Sequence, residues 1–310
     1  MSIEKRCVIY NPTAGRKRSA SRWQMIRRLL NNQVEFWPTS HAGHAMELAR
    51  AACDASYALV GAAGGDGTFH EVANGILRSS RPKTTMGLIP LGSGNDYAMA
   101  LKLPKQPEQL IELFLSQHVW SVDVGKVESS SQVDTYFINT LGLGLSGAVS
   151  WEARQILGLR GLPLYGLAAI KAIWRHFQPL DTTITMDGVA SSVPTLFMVV
   201  ALGSTEGGGF VIAPDARLDD GWFDYLHAAN MSRGAALQYL PRLAMGWLPD
   251  HGGRIQRGRC RSLRIHSKQP LLIHTDGELY ATPATSMHNV SIELCAQALN
   301  LRCNPSRHHH

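Results

Sequence analysis

A run of glycines around one carboxylate and one hydroxyl, Gly64-Gly65-Asp66-Gly67-Thr68, is the segment best suited to chemistry. Glycine lets backbone N–H groups approach an anion closely, and the helix expected at Phe69 to Leu77 adds the positive end of its dipole. Asp66 can reach Mg²⁺ directly or through water. The loop therefore predicts a site for nucleotide phosphates and their metal, with an ordinary tight turn as the alternative.

Two further loops have the same setting, between a short apolar segment and a predicted helix. Leu91-Gly92-Ser93-Gly94-Asn95-Asp96 follows the apolar segment Met86 to Pro90. Asn11-Pro12-Thr13-Ala14-Gly15 follows Arg6 to Tyr10. In open α/β sheets, ligands bind at the carboxyl ends of the strands, so the three loops are expected to lie at one edge. This arrangement favours phosphoryl transfer over three unrelated turns.

A second pair of carboxylates, Asp276 and Glu278, flanks Gly277. If this stretch is extended, the period of two puts both side chains on one face, where they could form an acid/base and metal pair. The alternative is a hairpin turn, because Asp-Gly is a strong turn dipeptide. None of the histidines forms an H-x-x-x-H pair with an intervening Glu on a predicted helix, and they are interpreted as surface or packing residues, His274 among them.

Composition indicates a globular protein of one large or two ordinary domains, with 310 residues and 45% hydrophobic content. The five cysteines include no C-x-x-C pair, so neither a disulfide framework nor a thiolate metal site is indicated, and a reducing, cytoplasmic location is expected. No signal segment is recognised at the N-terminus. The net charge of +6 comes from scattered basic residues without interleaved aromatics, which argues against nucleic-acid binding.

The pattern of strands and helices changes near residue 120. Before it, short apolar strands alternate with amphipathic helices, which predicts a Rossmann-like α/β domain with a mostly parallel sheet. After it, β-branched strand candidates predict an antiparallel second domain that also contains two helices, Leu162 to Phe177 and Ser232 to Trp247, with Ser232 as N-cap. The strand candidates lie at residues 121–127, 135–139, 182–186, 195–201, 222–227, 262–266 and 271–275.

Five motifs in this order resemble the diacylglycerol kinase catalytic domain family, in its bacterial lipid kinase branch (diacylglycerol/sphingosine kinase-like). They are residues 11–15, 64–68, 90–96, 212–221 and 274–278. The resemblance covers nearly the whole chain. It implies an α/β nucleotide-binding domain in residues 1–120, a β-sandwich lipid-binding domain in residues 121–291, and an active site between the domains. The C-terminal segment, residues 292–304, is then expected to return to the first domain.

The resemblance also implies roles for individual residues. Those assigned to the nucleotide are Asn11, Thr13, Gly15, Arg16, Thr39, Gly64, Gly65, Asp66, Gly67, Thr68, Ser93, Asn95 and Asp96. Asp66 and Asp96 are expected to hold the catalytic Mg²⁺, which makes Asp66 a catalytic residue. The base that accepts the proton of the lipid hydroxyl is Glu278 or Asp276, with Glu278 favoured. Ala14 stands where the family usually has Ser, which removes one hydroxyl contact.

A separate structural metal site is also implied. There Asp220 would bind Mg²⁺ through its carboxylate, and Arg217 and Trp222 through their backbone carbonyls. An Asp-Gly turn between strands is the alternative. The segment Leu157 to Phe177 could form one wall of a lipid pocket, or it could be an ordinary core helix.

Together these expectations describe an ATP- and Mg²⁺-dependent lipid kinase that phosphorylates a hydroxyl of diacylglycerol or a related lipid alcohol. It would contact the membrane surface transiently, and a homodimer is left open. One alternative is an NAD kinase-like enzyme, which shares the Gly-Gly-Asp-Gly loop. The other is a non-catalytic nucleotide- or lipid-binding regulator of the same fold. The Gly-Ser-Gly-Asn-Asp and Asp-Gly-Glu motifs favour the lipid kinase over the first, and the intact carboxylates favour it over the second.

Overall fold

The computed structural model describes residues 4–14, 16–247 and 255–304, and for residues 16–19 it describes the backbone alone. The chain forms two compact units. The first runs to Asp123 and resumes at Ala296, and the second comprises Val124–Cys295.

The first unit is built from strands that alternate with helices. Its elements in chain order are β1 (Arg6–Tyr10), α1 (Arg16–Leu29), β2 (Glu35–Pro38), α2 (His44–Asp54), β3 (Leu59–Gly64), α3 (Asp66–Leu77), β4 (Thr85–Pro90), α4 (Asp96–Ala100), α5 (Pro107–Leu115) and β5 (Trp120–Glu128), which continues into the second unit. Strands β1 to β4 pair in parallel in the order β2-β1-β3-β4. Asn300 and Leu301, near the end of the chain, extend this sheet by pairing in parallel with β4. The α/β prediction is confirmed.

Strand β3 lies in the middle of this sheet and is buried at every residue. A parallel strand covered on both faces has no polar face, so its sequence is a continuous run of small apolar residues instead of an alternating pattern. The ring of Phe114, on α5, packs directly over Gly61 and Gly87. A Cβ atom would lie 2.9 Å from this ring at Gly61 and 2.3 Å at Gly87. Because Gly61 on β3 and Gly87 on β4 have no side chains, α5 can approach the sheet closely.

The second unit contains most of the remaining elements. They are β6 (Thr135–Phe137), β7 (Thr140–Gly144), α6 (Leu145–Ala153), α7 (Gly161–Arg175), β8 (Leu180–Met186), β9 (Val189–Thr195), β10 (Phe197–Ala201), β11 (Thr205–Glu206), β12 (Phe210–Val211), β13 (Phe223–Ala228), α8 (Arg233–Ala244), β14 (Ile255–Cys260), β15 (Ser262–Ser267), β16 (Ile273–Thr275), β17 (Glu278–Ala281) and β18 (Asn289–Leu301). One sheet has the order β14-β13-β10-β7-β16-β17 and is antiparallel. The first residues of β18 pair with β15, which pairs with β8, and β8 with β9, again antiparallel. The predicted antiparallel β-sandwich is confirmed.

Both helices predicted in this unit are present, as α7 and α8. Ser232 caps α8 as predicted, since its hydroxyl accepts the N–H of Ala235 at 3.2 Å. Helix α6 was not predicted. Six of its nine residues are buried, so it lacks the one-sided pattern by which a surface helix is recognised. Across the residues that the structure describes, no helix combines the length and apolar character needed to cross a bilayer.

Candidate functional site

The two glycine-rich loops of the first unit are in direct backbone contact. The carbonyl of Gly64 accepts the N–H groups of Leu91 at 2.7 Å and Gly92 at 3.1 Å. A Cβ atom at Gly92 would lie 2.5 Å from the Cα of Gly65, which only a backbone shift could relieve. Glycine is therefore needed at this contact, and the two predicted nucleotide loops form one backbone-lined surface.

Asp66 connects the same loops through its side chain. It is the first residue of α3, and its carboxylate accepts the N–H of Asn95 at 2.8 Å and of Tyr97 at 3.2 Å. A carboxylate offers roughly four acceptor positions, so these bonds are compatible with an additional cation. Asp96, the second predicted magnesium ligand, is buried at the start of α4. The Asp66 carboxylate thus fixes the position of the loop that carries Asp96.

The second loop is closed by Asn95. This residue has a φ of 59°, a left-handed conformation that Asn tolerates well. Its Oδ1 accepts the N–H of Gly92 at 3.0 Å, and its Nδ2 donates to the carbonyl of Gly92 at 2.9 Å. Ser93, between these residues, is exposed. The side chain of Asn95 therefore shapes the loop from within, while the Ser93 hydroxyl is accessible to a ligand.

The loop after β1 is ordered by an Asn–Thr interaction. Oδ1 of Asn11 accepts both the N–H of Thr13 at 2.9 Å and its hydroxyl at 2.8 Å. The N–H of Asn11 donates to the carbonyl of Ala63 on β3, and that of Thr39 donates to the carbonyl of Tyr10. The ends of β1, β2 and β3 thus bring their loops to one sheet edge, as predicted from their pattern. Gly15 and the side chain of Arg16 lie outside the described residues.

Two acidic residues of this unit were not singled out from the sequence. Glu71 accepts the N–H groups of Gly43 at 2.9 Å and Ala45 at 3.0 Å, and so it caps helix α2. Asp123 is fully buried and accepts the N–H of Gln297 at 2.8 Å. An acidic residue inside an apolar strand is rarely buried without a partner, and that was the available signal for Asp123.

The Asp276-Gly277 dipeptide forms the turn of the β16–β17 hairpin. Thr275 pairs with Glu278 across the hairpin, and the two intervening residues have φ angles of 52° and 83°. Two positive φ angles are what a two-residue type I′ turn requires. Of the two alternatives left open by the sequence, the turn is therefore correct and the extended stretch is not. Asp276 and Glu278 do not share a strand face, because the chain reverses between them.

The two carboxylates of this turn have different surroundings. The Asp276 carboxylate accepts three backbone N–H groups, from Ile138 at 3.0 Å, Asn139 at 2.8 Å and Thr140 at 3.1 Å. It therefore anchors the turn to the connection before β7. The Glu278 side chain is 48% exposed and forms an ion pair with Arg154, just after α6. Of the two predicted bases, Glu278 is the more exposed.

A buried polar cluster lies behind the turn and was missed by sequence reasoning. His274 is completely buried, and its Nδ1 accepts the N–H of Gly277 at 3.3 Å. Its Nε2 therefore carries the proton, and it lies 2.9 Å from Oε1 of Glu206 and 3.0 Å from Oγ of Ser146. These three residues are far apart in sequence, so no local motif joins them. The interpretation of His274 as an ordinary packing residue missed this cluster.

Comparisons with known proteins identify the family of this chain. The family model described as "Diacylglycerol kinase catalytic domain" matches residues 5–127, and "YegS C-terminal NAD kinase beta sandwich-like domain" matches residues 139–303. A diacylglycerol kinase of Staphylococcus carnosus is 30% identical over 277 residues, which cover 87% of each chain. The chain belongs to the diacylglycerol kinase family of lipid kinases.

Two other comparisons concern a second bacterial relative and a solved structure. A "probable lipid kinase YegS-like" protein of Chromohalobacter salexigens is 30% identical over 244 residues, covering 77% of this chain and 76% of the relative. A crystal structure of a diacylglycerol kinase from Bacillus anthracis aligns with a TM-score of 0.73 at 21% identity, over 99% of both chains. The structural likeness shows a shared fold.

The lipid kinase also carries a charge cluster around the predicted structural metal site. Asp220 accepts the N–H of Trp222 at 3.2 Å, and its other carboxylate oxygen lies 3.1 Å from Nη1 of Arg259. Nε of Arg259 lies 3.3 Å from Asp224, whose pKa is raised by burial against the lowering effect of Arg259. A guanidinium thus already faces Asp220. The metal site formed with Arg217 stays a prediction.

The residues of the first unit fit a bound phosphate group. The N-cap of α3 is Gly65, which has no side chain to cap the first helical turn. The unpaired N–H groups and the dipole at a helix N-terminus attract anions. By contrast, the N-terminus of α2 is already occupied by the Glu71 carboxylate. In this lipid kinase, α3 is therefore the better placed of the two helices for an anionic ligand.

Proposed function

We propose that this lipid kinase transfers the γ-phosphoryl group of ATP, with Mg²⁺, to a hydroxyl of diacylglycerol or a related lipid alcohol. The observation that carries the proposal is the Asp66 carboxylate, which accepts N–H groups from Asn95 and Tyr97 and so fixes two glycine-rich loops against each other. Such a surface can hold a triphosphate without side chains in the way. When bound, ATP supplies the phosphoryl group, and Mg²⁺ neutralises its charge.

The first unit has the residues that hold the nucleotide. Backbone N–H groups in the first turn of α3, together with the accessible Ser93 hydroxyl, bind phosphate oxygens. Asp66 and Asp96, at the first positions of α3 and α4, hold the cation through their carboxylates. Since Asp66 also ties the loops, the geometry of the phosphate site and of the cation site depends on the same side chain.

The second unit has the residues that act on the lipid hydroxyl. Glu278 accepts the hydroxyl proton as a general base, because its side chain is accessible and its partner Arg154 is equally exposed. Asp276 does not take the proton. Its three N–H bonds hold the turn that presents Glu278, so it acts as a positioning residue.

Contact with the membrane surface is assigned to helix α7. Its buried residues are three alanines and Ile173, whereas Leu167, Ile170 and Trp174 on the other face are 37%, 41% and 65% exposed. Lys171 lies among them and would face anionic head groups, whereas Arg175 forms an ion pair with the buried carboxylate of Glu152 at 3.2 Å. An apolar stripe with interspersed basic residues is typical of helices that lie in a bilayer interface.

The test is transfer of labelled γ-phosphate from ATP to a panel of lipid alcohols in mixed micelles, with NAD as an additional acceptor. Asp66→Ala is compared with Asp134→Ala, which removes an exposed carboxylate of the second unit. We expect lipid labelling in the wild-type protein and in Asp134→Ala, and none in Asp66→Ala. Labelling of NAD in place of lipid would identify an NAD kinase. ATP binding without labelling of any acceptor would identify a regulator.

A further inference from the structure

The second unit contains an apolar cavity of about 110 Å³ between α6, α7, α8 and the β11–β12 hairpin. Apolar side chains from all four elements form most of its wall, including Val149, Ala169, Ile173, Phe210 and Leu240. Glu206 is the one charged residue among the described lining residues. A carboxylate in such surroundings is costly unless each oxygen has a partner.

Glu206 has a partner for one oxygen and none for the other. Its Oε1 lies 2.9 Å from Nε2 of His274 and 3.5 Å from Oγ of Ser146. Its Oε2 is buried and, within the described ranges, has no hydrogen-bond partner. Nε2 of His274 faces Oε1, and its Nδ1 faces the N–H of Gly277, so the imidazole offers no donor to Oε2. Oε2 of Glu206 therefore lacks a hydrogen-bond donor, which a ligand in the cavity would supply, preferably as a cationic group.

The position of Glu206 is fixed by its hairpin. Gly207, Gly208 and Gly209 have φ angles of 64°, 77° and 125°, which favour glycine at all three positions. A Cβ atom at Gly208 would lie 2.6 Å from the Cα of Gly161, at the start of α7. The carboxylate is thus held at the cavity wall by packing of backbone against backbone.

The same hairpin is connected to the turn that carries Glu278. Nδ2 of Asn139 donates to the carbonyl of Thr205 at 2.9 Å, and the N–H of Asn139 donates to Asp276 at 2.8 Å. His274 adds a second connection, from Glu206 to Gly277. The hairpin that carries Glu206 and the turn that precedes Glu278 are therefore neighbouring parts of the second unit.

We propose that Glu206 recognises a donor group on the lipid head, and that the preferred substrate is a single-chain lipid alcohol carrying an ammonium or a second hydroxyl beside the hydroxyl that is phosphorylated. This inference rests on the proposed function. Diacylglycerol has two chains and one free hydroxyl, so it would leave Oε2 without a partner. The cavity is of the order of the roughly 150 Å³ void that accommodates benzene, which suits a segment of one chain.

The first experiment measures binding without turnover, by calorimetry in the absence of ATP. The probes are dodecylamine and dodecyl methyl ether, which share a chain and differ in the donor. Glu206→Gln is compared with Glu293→Gln, a matched change at an exposed position of β18. We expect dodecylamine to bind roughly tenfold or more weakly to Glu206→Gln, as for loss of a charged hydrogen bond, with the ether unaffected. Equal binding of the amine by both variants would overturn the inference.

A second variant tests whether the chain occupies the cavity. Ala169→Leu extends the apolar wall into the cavity and leaves Glu206 in place. We expect both probes to bind several-fold more weakly to it, with thermal unfolding used to verify that the variant is folded. Unchanged binding of both probes by the folded variant would place the ligand outside this cavity and overturn the inference.

The last arm compares turnover of a long-chain amino alcohol, a monoacylglycerol and diacylglycerol. In Glu206→Gln the kcat/KM of the preferred single-chain lipid relative to diacylglycerol should fall by roughly tenfold. The amino alcohol and the monoacylglycerol distinguish an ammonium from a hydroxyl donor. Preference for diacylglycerol in both proteins would contradict the inference. Selective amine binding without phosphorylation of any lipid would refute the proposed kinase function and leave the donor site intact.

Discussion

The Gly64–Thr68 loop of the first unit and the Asp276–Glu278 turn of the second use carboxylates in different ways. In the first, Asp66 accepts two N–H groups from the neighbouring loop and is also the proposed cation ligand. In the second, the tasks are divided. Asp276 accepts three N–H groups and anchors the turn, while Glu278 is accessible and paired only with exposed Arg154 among the described residues.

This difference predicts how mutations should behave. Where one carboxylate both shapes the site and acts in it, a substitution changes stability and activity together. Where the tasks belong to two residues, they can be separated, because removing an accessible side chain leaves no buried group without a partner. The second unit should therefore give variants that are stable and inactive, and the first should not.

The largest effect is expected for Asp66→Ala. It removes a cation ligand and two loop contacts, so kcat/KM for lipid phosphorylation should fall by about a thousandfold or more. The free energy of unfolding should fall as well, by about 1 to 2 kcal/mol, because the N–H groups of Asn95 and Tyr97 lose their acceptor. Activity and urea denaturation are measured on the same preparation. Activity loss without any destabilisation would contradict the dual role.

Glu278→Gln should come next. Loss of a general base lowers kcat by about a hundredfold or more, while the affinity for ATP stays close to that of the wild type. Because the side chain is about half exposed, unfolding free energy should change by less than about 0.5 kcal/mol. Steady-state kinetics and nucleotide titration check both parts. A near-normal kcat in the folded variant would remove Glu278 from the mechanism.

Asp276→Ala, in contrast to Glu278→Gln, should act mainly on stability. Three backbone N–H groups, of Ile138, Asn139 and Thr140, lose their acceptor, so the free energy of unfolding should fall by about 3 kcal/mol. Asp276→Asn retains one acceptor oxygen and should be intermediate. Thermal and urea unfolding of the wild type, Asp276→Asn and Asp276→Ala check this order of stability. Full stability of Asp276→Ala would show that the turn does not depend on this anchor.

The smallest effect is expected for Arg154→Ala. Its ion pair with Glu278 is exposed at both ends, and exposed pairs contribute at most about 1 kcal/mol to stability. Unfolding free energy should therefore be nearly unchanged. If Arg154 holds the base in position, kcat should still fall several-fold, and Arg154→Lys should restore part of it. Equal kcat in both variants and the wild type would show that Glu278 needs no such partner.

Much of the first unit was predictable because its signals are local. The burial of β3 follows from a short run of apolar residues, and the loops from glycines placed next to polar side chains. In the second unit, the same local reasoning left the Asp276-Gly277 dipeptide undecided between a strand and a turn. The register of Thr275 with Glu278 decided it, and a register is a property of two paired strands.

The sequence by itself determined the α/β and antiparallel classes and the positions of the glycine-rich loops, because periodicity and glycine content are local properties of neighbouring residues. Only the tertiary structure decided which groups each carboxylate contacts. Pairing of β7 with β16 places Gly142 opposite His274, and its missing side chain leaves the space in which His274 meets Ser146. The β11–β12 hairpin then brings Glu206 to the same imidazole. These contacts join segments that are distant in sequence, and no local pattern encodes them.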